Sequence, residues 1–204
     1  MNFDINNFSK RIICESAVTD TEVETVVDGN KLDLYVTATN DKVKFIELEW
    51  DFESGDGIYV MGDAWERSYG ELEFKKLADN ERVMPWYFIA TDKTQCFCFG
   101  VKTQPNAFIS FRYTADGIKA LVDCRNGSHG VELGGRKLHV ATFVYKKYSS
   151  ADIFANLHDY CTLAMASNTP WRVMESWSAI SCWERSSSQY RRMTSRRWSV
   201  NSGP

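Results

Sequence analysis

Short turn-forming motifs recur along most of the chain, and the segments between them alternate apolar and polar residues. The motifs include SGDG (54–57), TQPN (103–106) and NGSHG (126–130). Glycine, proline and Asn/Asp favour tight turns, and turns at intervals of roughly 8–12 residues are typical of antiparallel sandwiches or barrels. The sequence therefore predicts an all-β fold, a large antiparallel β-sandwich of the supersandwich type, with one C-terminal helix and an irregular tail.

Alternation of apolar and polar residues predicts eight strands. They cover 31–39, 42–50, 57–62, 84–91, 96–103, 107–114, 118–125 and 137–147. In 42–50 the alternation shifts between Phe45 and Leu48. Because Trp50 and Trp86 fall within strand patterns, both are predicted to be core residues.

One helix is predicted over 151–165. Its apolar residues recur at helical spacing: Ile153, Phe154, Leu157, Cys161 and Ala164. Ser149 is the predicted N-cap, with Asp152 three residues later in a position resembling a capping box.

Composition and charge exclude several classes of protein. The 204 residues are 44% hydrophobic and 25% charged, which is ordinary for a globular protein. The net charge of −3 argues against nucleic acid as the main partner. No apolar run approaches the roughly 18 residues of a membrane span, and no secretion signal is recognisable at the N-terminus. A cytoplasmic protein without a membrane partner is expected.

The cysteines predict neither a metal site nor a cofactor. Six are spread along the chain: Cys14, Cys96, Cys98, Cys124, Cys161 and Cys182. Cys96 and Cys98 would share one face of a strand, and no pair of C-x-x-C motifs accompanies them. We expect small, buried, apolar residues in a reducing compartment.

The composition changes near the C-terminus, which predicts two domains, 1–166 and 167–204. Residues 171–204 hold four of the seven tryptophans, nine serines and six arginines against two acidic residues, for a net charge of +4. Such a tail is open to two interpretations. It could be a basic, aromatic arm that contacts nucleic acid or membranes. Alternatively, it could be the product of a frameshift, translated out of frame.

The segment GDAWERSYGELEF (62–74) is the best candidate for contact with a sugar. Asp63, Trp65 and Arg67 combine an aromatic ring with polar groups, as carbohydrate pockets require; the alternative is that Trp65 belongs to the core. Glu71 and Glu73 are expected on a solvated sheet face and too close in sequence for a glycosidase pair. Three histidines without a nucleophile motif make a hidden triad improbable, so no catalytic residue is predicted.

Four ordered segments together resemble the N-terminal region of melibiase-type α-galactosidases. They are GDAWERSYGELEF (62–74), MPWYFIATD (84–92), CFGVKTQPNAFISF (98–111) and GIKALVDCRNGSHGVELGGRKLHVATFV (117–144). The resemblance spans roughly 40–165 and implies a β-sandwich followed by a linker helix and a catalytic TIM barrel. In that family both catalytic aspartates lie in the barrel. The residues after 170 are far fewer than the roughly 250 of a barrel, so none is transferred here. The resemblance also implies that Trp65 reaches a sugar site as a rim residue.

Three functions follow as hypotheses. The first is a non-catalytic domain fragment of an α-galactosidase-like glycoside hydrolase that packs on a barrel and lends it a rim residue. Its partner would be a galactoside-type carbohydrate, bound weakly or only together with a barrel. The second is a free-standing carbohydrate-binding module that uses Trp65 and also Trp86 or Trp50. The third is an interaction domain that self-associates through an apolar surface that a barrel would otherwise cover.

Overall fold

The computed structural model describes residues 3–15, 20–52, 57–64 and 73–164. Within these ranges thirteen strands form two antiparallel sheets, which confirms the predicted all-β sandwich. The first sheet contains β1 (Phe8–Cys14), β4 (Lys42–Trp50), β7 (Met84–Pro85), β10 (Phe108–Thr114), β11 (Gly117–Asp123) and β12 (Val131–Glu132). The second contains β2 (Glu22–Asp28), β3 (Lys31–Thr37), β5 (Tyr59–Gly62), β6 (Lys75–Lys76), β8 (Tyr87–Thr91), β9 (Cys96–Val101) and β13 (Lys137–Tyr148).

Strand order places β4, β11 and β10 at the centre of the first sheet. Its order is β1-β4-β11-β10-β7, and β12 also pairs with β4, at Lys42 and Val43. The second sheet runs β2-β3-β13-β9-β8-β5-β6. The chain crosses between the sheets several times, so residues far apart in sequence become neighbours.

The inward-facing residues of both sheets form one aromatic core. Trp50 is fully buried among Phe99, Phe143 and Phe8, and its indole N–H donates to the carbonyl oxygen of Ile5 at 3.1 Å. The prediction that Trp50 is a core residue is therefore confirmed. Since burial of a large aromatic side chain removes much apolar surface from water, truncating it costs about 3–5 kcal/mol.

A β-bulge at Lys44 explains the shifted alternation of β4. Ile13 pairs with Phe45 and Cys14 pairs with Val43, so Lys44 is the extra residue. After the bulge, Ile46, Leu48 and Trp50 are buried in the core. Phe45, one position before Ile46, is therefore on the outer face of the sheet.

The helix α1 (Ile153–Ala164) packs on the outer face of the second sheet, against β9 and β13. Tyr160 is completely buried there and donates its hydroxyl to the carbonyl oxygen of Val144 at 2.9 Å. Lys146 Nζ and Tyr148 Oη both donate to Asp159 Oδ2 at 2.7 Å, which fixes the helix further. The helix thus belongs to the sandwich.

The predicted N-cap, Ser149, was wrong by three residues. Asp152, not Ser149, is the N-cap, because its carboxylate Oδ1 accepts from the backbone N–H of Ala155 at 3.0 Å. The helix accordingly begins at Ile153, two residues later than predicted. Ser150 occupies the preceding turn, where its hydroxyl accepts from the Asp152 N–H at 3.1 Å.

Candidate functional site

Only part of the predicted sugar-contact segment lies in the described residues. Trp65, Arg67 and Glu71 fall outside them, so their predicted placement stays a prediction. Asp63 directly follows β5, and its carboxylate Oδ1 accepts from the Ala64 N–H at 2.9 Å. Glu73 is exposed to solvent as predicted, but it lies in a bend before β6 and not on a sheet face.

Gly62 allows this segment to leave the sheet beside β7. A Cβ atom added at Gly62 would lie 2.5 Å from the Cβ of Met84, which is well inside van der Waals contact. Met84 is itself buried in the core. The segment that begins at Asp63 therefore starts next to the strand that leads to Trp86.

Trp86 lies where the chain crosses from the first sheet to the second. Its N–H donates to the carbonyl oxygen of Ile109 in β10 at 3.1 Å, and its own carbonyl accepts from Val101 in β9 at 3.0 Å. Its φ of +67° is in the left-handed region, which is rare for a bulky residue and costs about 1–3 kcal/mol. The predicted continuous strand 84–91 is therefore wrong, since it divides at Trp86 into β7 and β8.

The Trp86 side chain borders the core instead of lying inside it. It is half-buried, and its ring packs on Phe108 with centroids 5.8 Å apart and planes at 40°. Phe108 is 58% exposed on the outer face of the first sheet. The prediction that Trp86 is a core residue is therefore corrected. Its side chain packs against the core but stays partly exposed, where the chain crosses between the sheets.

An aromatic row crosses the outer face of the first sheet from this point. Strand register places Asp123 opposite both Phe108 on β10 and Phe45 on β4. Arg125 donates to Asp123 through Nε at 2.9 Å and Nη2 at 2.7 Å. Its guanidinium also lies over the Phe45 ring, 4.5 Å from the centroid. We call Trp86, Phe108, Asp123, Arg125 and Phe45 the aromatic row.

The charged pair in the row has a fixed protonation state near neutral pH. The side-chain hydrogen bonds from Arg125 hold the pKa of Asp123 below its usual range, although partial burial opposes this. They also raise the pKa of Arg125. The row therefore presents a carboxylate acceptor and a guanidinium donor side by side between aromatic rings.

Ion pairs surround the row on the same face. Arg11 pairs with Glu47 at 2.6 Å and Lys119 with Glu49 at 2.8 Å, and all four side chains are more than a third exposed. Exposed pairs of this kind add little to stability. They make this part of the face polar and solvated.

A second polar cluster lies on the outer face of the second sheet. His139 Nε2 is 3.1 Å from Asp33 Oδ1 and 3.2 Å from Thr142 Oγ1, and Thr142 donates its hydroxyl to Asp33. His139 lies on the outer face of β13 and is exposed. Because a single nitrogen faces both partners, the imidazole cannot bridge nucleophile and carboxylate through its two nitrogens as a triad requires.

The buried cysteines and the two remaining histidines differ in their exposure to solvent. Cys96 and Cys98 are buried on one strand, as predicted, but Cys14 and Cys161 are only partly buried. Burial raises the pKa of the Cys98 thiol well above its usual value. Burial likewise raises the pKa of Cys124 to about 12. His129 and His158 are exposed. Within the described ranges no three His, Cys, Asp or Glu side chains gather in a way that could hold a metal ion.

Several chain segments converge around Trp86. Gly62, just before Asp63, pairs with Phe88, and Val101 bonds to Trp86. Two residues beyond Val101, the Thr103 N–H donates to the carbonyl oxygen of Ala164, the last residue of α1, at 2.9 Å. We call Asp63, Trp86, Thr103, Phe108 and Ala164 the Trp86 corner. Sequence reasoning named Asp63 and Trp86 as possible sugar contacts, but it did not bring this set together, because strand register and the docking of α1 do so.

The fold and these surfaces define an antiparallel β-sandwich with a helix docked on one sheet. No protein-family model matches the sequence, and no curated protein matches it either. Over the described ranges, no helix is both long and apolar enough to cross a membrane.

Proposed function

We propose that the chain is a non-catalytic β-sandwich domain of an α-galactosidase-like glycoside hydrolase. The observation that carries the proposal is the Trp86 corner. The end of α1 bonds to Thr103, two residues after Val101, and Val101 bonds to Trp86. Asp63 follows Gly62, which pairs with Phe88, two residues after Trp86.

The segments with the family resemblance support this arrangement. Residues 84–92, 98–111 and 117–144 contribute to strands β7 to β13, which belong to both sheets. The helix that the resemblance assigns as a linker is α1, which Asp159 and Tyr160 fix to β13.

The chemistry of the described residues favours a supporting role over catalysis. A glycosidase needs two carboxyl groups across the scissile bond, about 5–10 Å apart. The carboxylates near the two outer-face clusters are already engaged: Asp123 by Arg125, and Asp33 by Thr142 and His139. In this proposal Asp63, with Trp65 and Arg67, contributes to the rim of a sugar site whose reacting groups belong to another domain.

Hydrolysis of an aryl α-galactoside by the purified chain tests the non-catalytic role. We expect no turnover above a heat-inactivated sample. Asp63→Asn serves as a matched variant, and it should give the same baseline. Turnover that Asp63→Asn or another carboxylate substitution abolishes would overturn the proposal.

A further inference from the structure

Lys10 interrupts an apolar pattern at the edge of the sandwich. Within the described ranges β1 is an edge strand of the first sheet, and its register places Lys10 opposite Leu48, which is buried in the core. Directly opposite residues share a face of the sheet, so Lys10 points inward together with Phe8, Ile12 and Cys14, which pack against the core. Natural proteins use a charged side chain that points inward on an edge strand to prevent edge-to-edge pairing of sheets.

The Lys10 ammonium reaches across to the second sheet. Its Nζ donates to the backbone carbonyl oxygen of Val23 at 2.7 Å. Val23 belongs to β2, the strand at one end of the order of the second sheet. A single side chain therefore connects the edges of the two sheets on the side where β1 and β2 come together.

Strand register indicates that the Val23 carbonyl points away from the second sheet. Asp28 and Lys31 flank a two-residue turn, so they form a hydrogen-bonded pair. Such pairs alternate along an antiparallel ladder, so the backbone groups of Val23, Thr25 and Val27 point to the outer edge. All seven residues of β2 pair with β3 without a bulge, so these groups form a continuous row to which another strand can pair.

We propose that Lys10 closes this edge, and that without the Lys10 ammonium β2 pairs antiparallel with β2 of a second copy of the chain. A two-fold axis at Thr25 would put Val23 opposite Val27 of the second copy. The N–H of that Val27 would need the Val23 carbonyl, which Lys10 occupies. This inference does not rest on the proposed function.

The side chains of β2 suit a second copy as the partner. Val23, Thr25 and Val27 lie on the inner face, where Val23 is buried and the other two are partly buried. Around the two-fold axis, valine would meet valine and threonine would meet threonine. Pairs of β-branched residues and of threonines are among those that stabilise neighbouring strands.

Acidic residues on the outer face of β2 oppose the same pairing. Glu22 would lie opposite Asp28 of the second copy, and like charges directly opposite each other are destabilising. Both side chains are exposed, so salt screens this repulsion. Once Lys10 no longer holds the edge, pairing should therefore be tighter at high ionic strength.

Sedimentation velocity and amide hydrogen exchange of the full chain together test the inference. Lys10→Met keeps an unbranched side chain but removes the ammonium, and we expect it to dimerise at least about tenfold more tightly than the wild type. Added salt should strengthen this dimer. The N–H groups of Thr25 and Val27 should exchange more slowly in the dimer, because they gain hydrogen-bond partners. Lys10→Ala also lacks the ammonium and should give the same result.

Two variants serve as controls. Lys10→Arg keeps a cationic donor and should behave as the wild type does. Lys119→Met removes an exposed lysine of the same sheet, one that pairs with Glu49 on the outer face, and it should also leave association unchanged. Circular dichroism should show that each variant is folded. Association of Lys10→Met and Lys10→Ala no tighter than that of Lys119→Met would overturn the inference, as would a Lys10→Met dimer without slower exchange at Thr25 and Val27.

Discussion

Trp86 combines a bulky side chain with a backbone conformation that favours glycine. Its neighbours require this, because the N–H must reach Ile109 in one sheet while the carbonyl reaches Val101 in the other. Alternation along 84–91 predicted strand on both sides correctly. It could not reveal the sign of one φ angle, which depends on where two sheets lie.

The backbone at Trp86 can be tested separately from its ring. Trp86→Gly and Trp86→Ala both remove the ring, but only alanine keeps a Cβ at φ of +67°. We expect the glycine variant to be more stable than the alanine variant by about 1 kcal/mol. Urea denaturation measures the difference, and equal stabilities would contradict the left-handed conformation.

Close packing at Gly62 gives a second prediction for a single residue. Gly62→Ala places a methyl group 2.5 Å from the Met84 side chain, so it should destabilise the protein by about 1–3 kcal/mol. Gly134→Ala is the control, because no atom lies within 4 Å of its added Cβ and only its φ of +57° is strained. A Gly62→Ala variant as stable as the wild type would contradict the close packing of Gly62 against Met84.

At the level of elements, the sequence predicted the central strands well and the edges poorly. The boundaries of β4 match the prediction, and the shift in its alternation corresponds to the bulge at Lys44. Strands β1 and β2 were not predicted. Both lie at sheet edges, where one pairing partner and partial exposure leave a weaker apolar pattern.

The N-cap of α1 is open to a direct comparison. Asp152→Ala removes the carboxylate that bonds to the Ala155 N–H and should lower the free energy of unfolding by about 1 kcal/mol. Ser149→Ala should have little effect, since Ser149 is not the cap. Chemical denaturation measures the stability of both variants. A larger loss of stability for Ser149→Ala than for Asp152→Ala would contradict Asp152 as the N-cap.

The turn between β8 and β9 predicts a dependence on pH. Hydrogen bonds from the Thr94 and Gln95 side chains and N–H groups hold the pKa of Asp92 well below its usual range, against the opposing effect of burial. A pKa lowered by folding stabilises the protein above the unfolded value of about 3.9, and this contribution is lost as the pH falls through the folded value.

Asp92→Asn should therefore be less stable than the wild type at pH 7, by about 1 kcal/mol. The difference should shrink as the pH is lowered toward 2. Asp116→Asn, in the turn between β10 and β11, is the matched control and should show a smaller difference. Unfolding curves across this pH range would contradict the account if the Asp92→Asn difference stayed constant or grew in acid.

At the scale of the whole molecule, the sequence predicted the sandwich but not its surfaces. Phe45, Trp86, Phe108 and Asp123 come from four separate stretches, and only strand register places them in one row. Alternation assigns a residue to a face of its strand, but it does not say which strands are neighbours. The self-association predicted from sequence stays a prediction that sedimentation at increasing concentration can test.

The central proposal is that this sandwich is one domain of a glycoside hydrolase whose catalytic groups lie elsewhere. The most direct measurement is to sequence the coding DNA beyond codon 170 and translate it in all three frames. The account predicts a shifted frame that encodes a TIM barrel with two aspartates placed as a retaining α-galactosidase requires. DNA that encodes no barrel in any frame would contradict it.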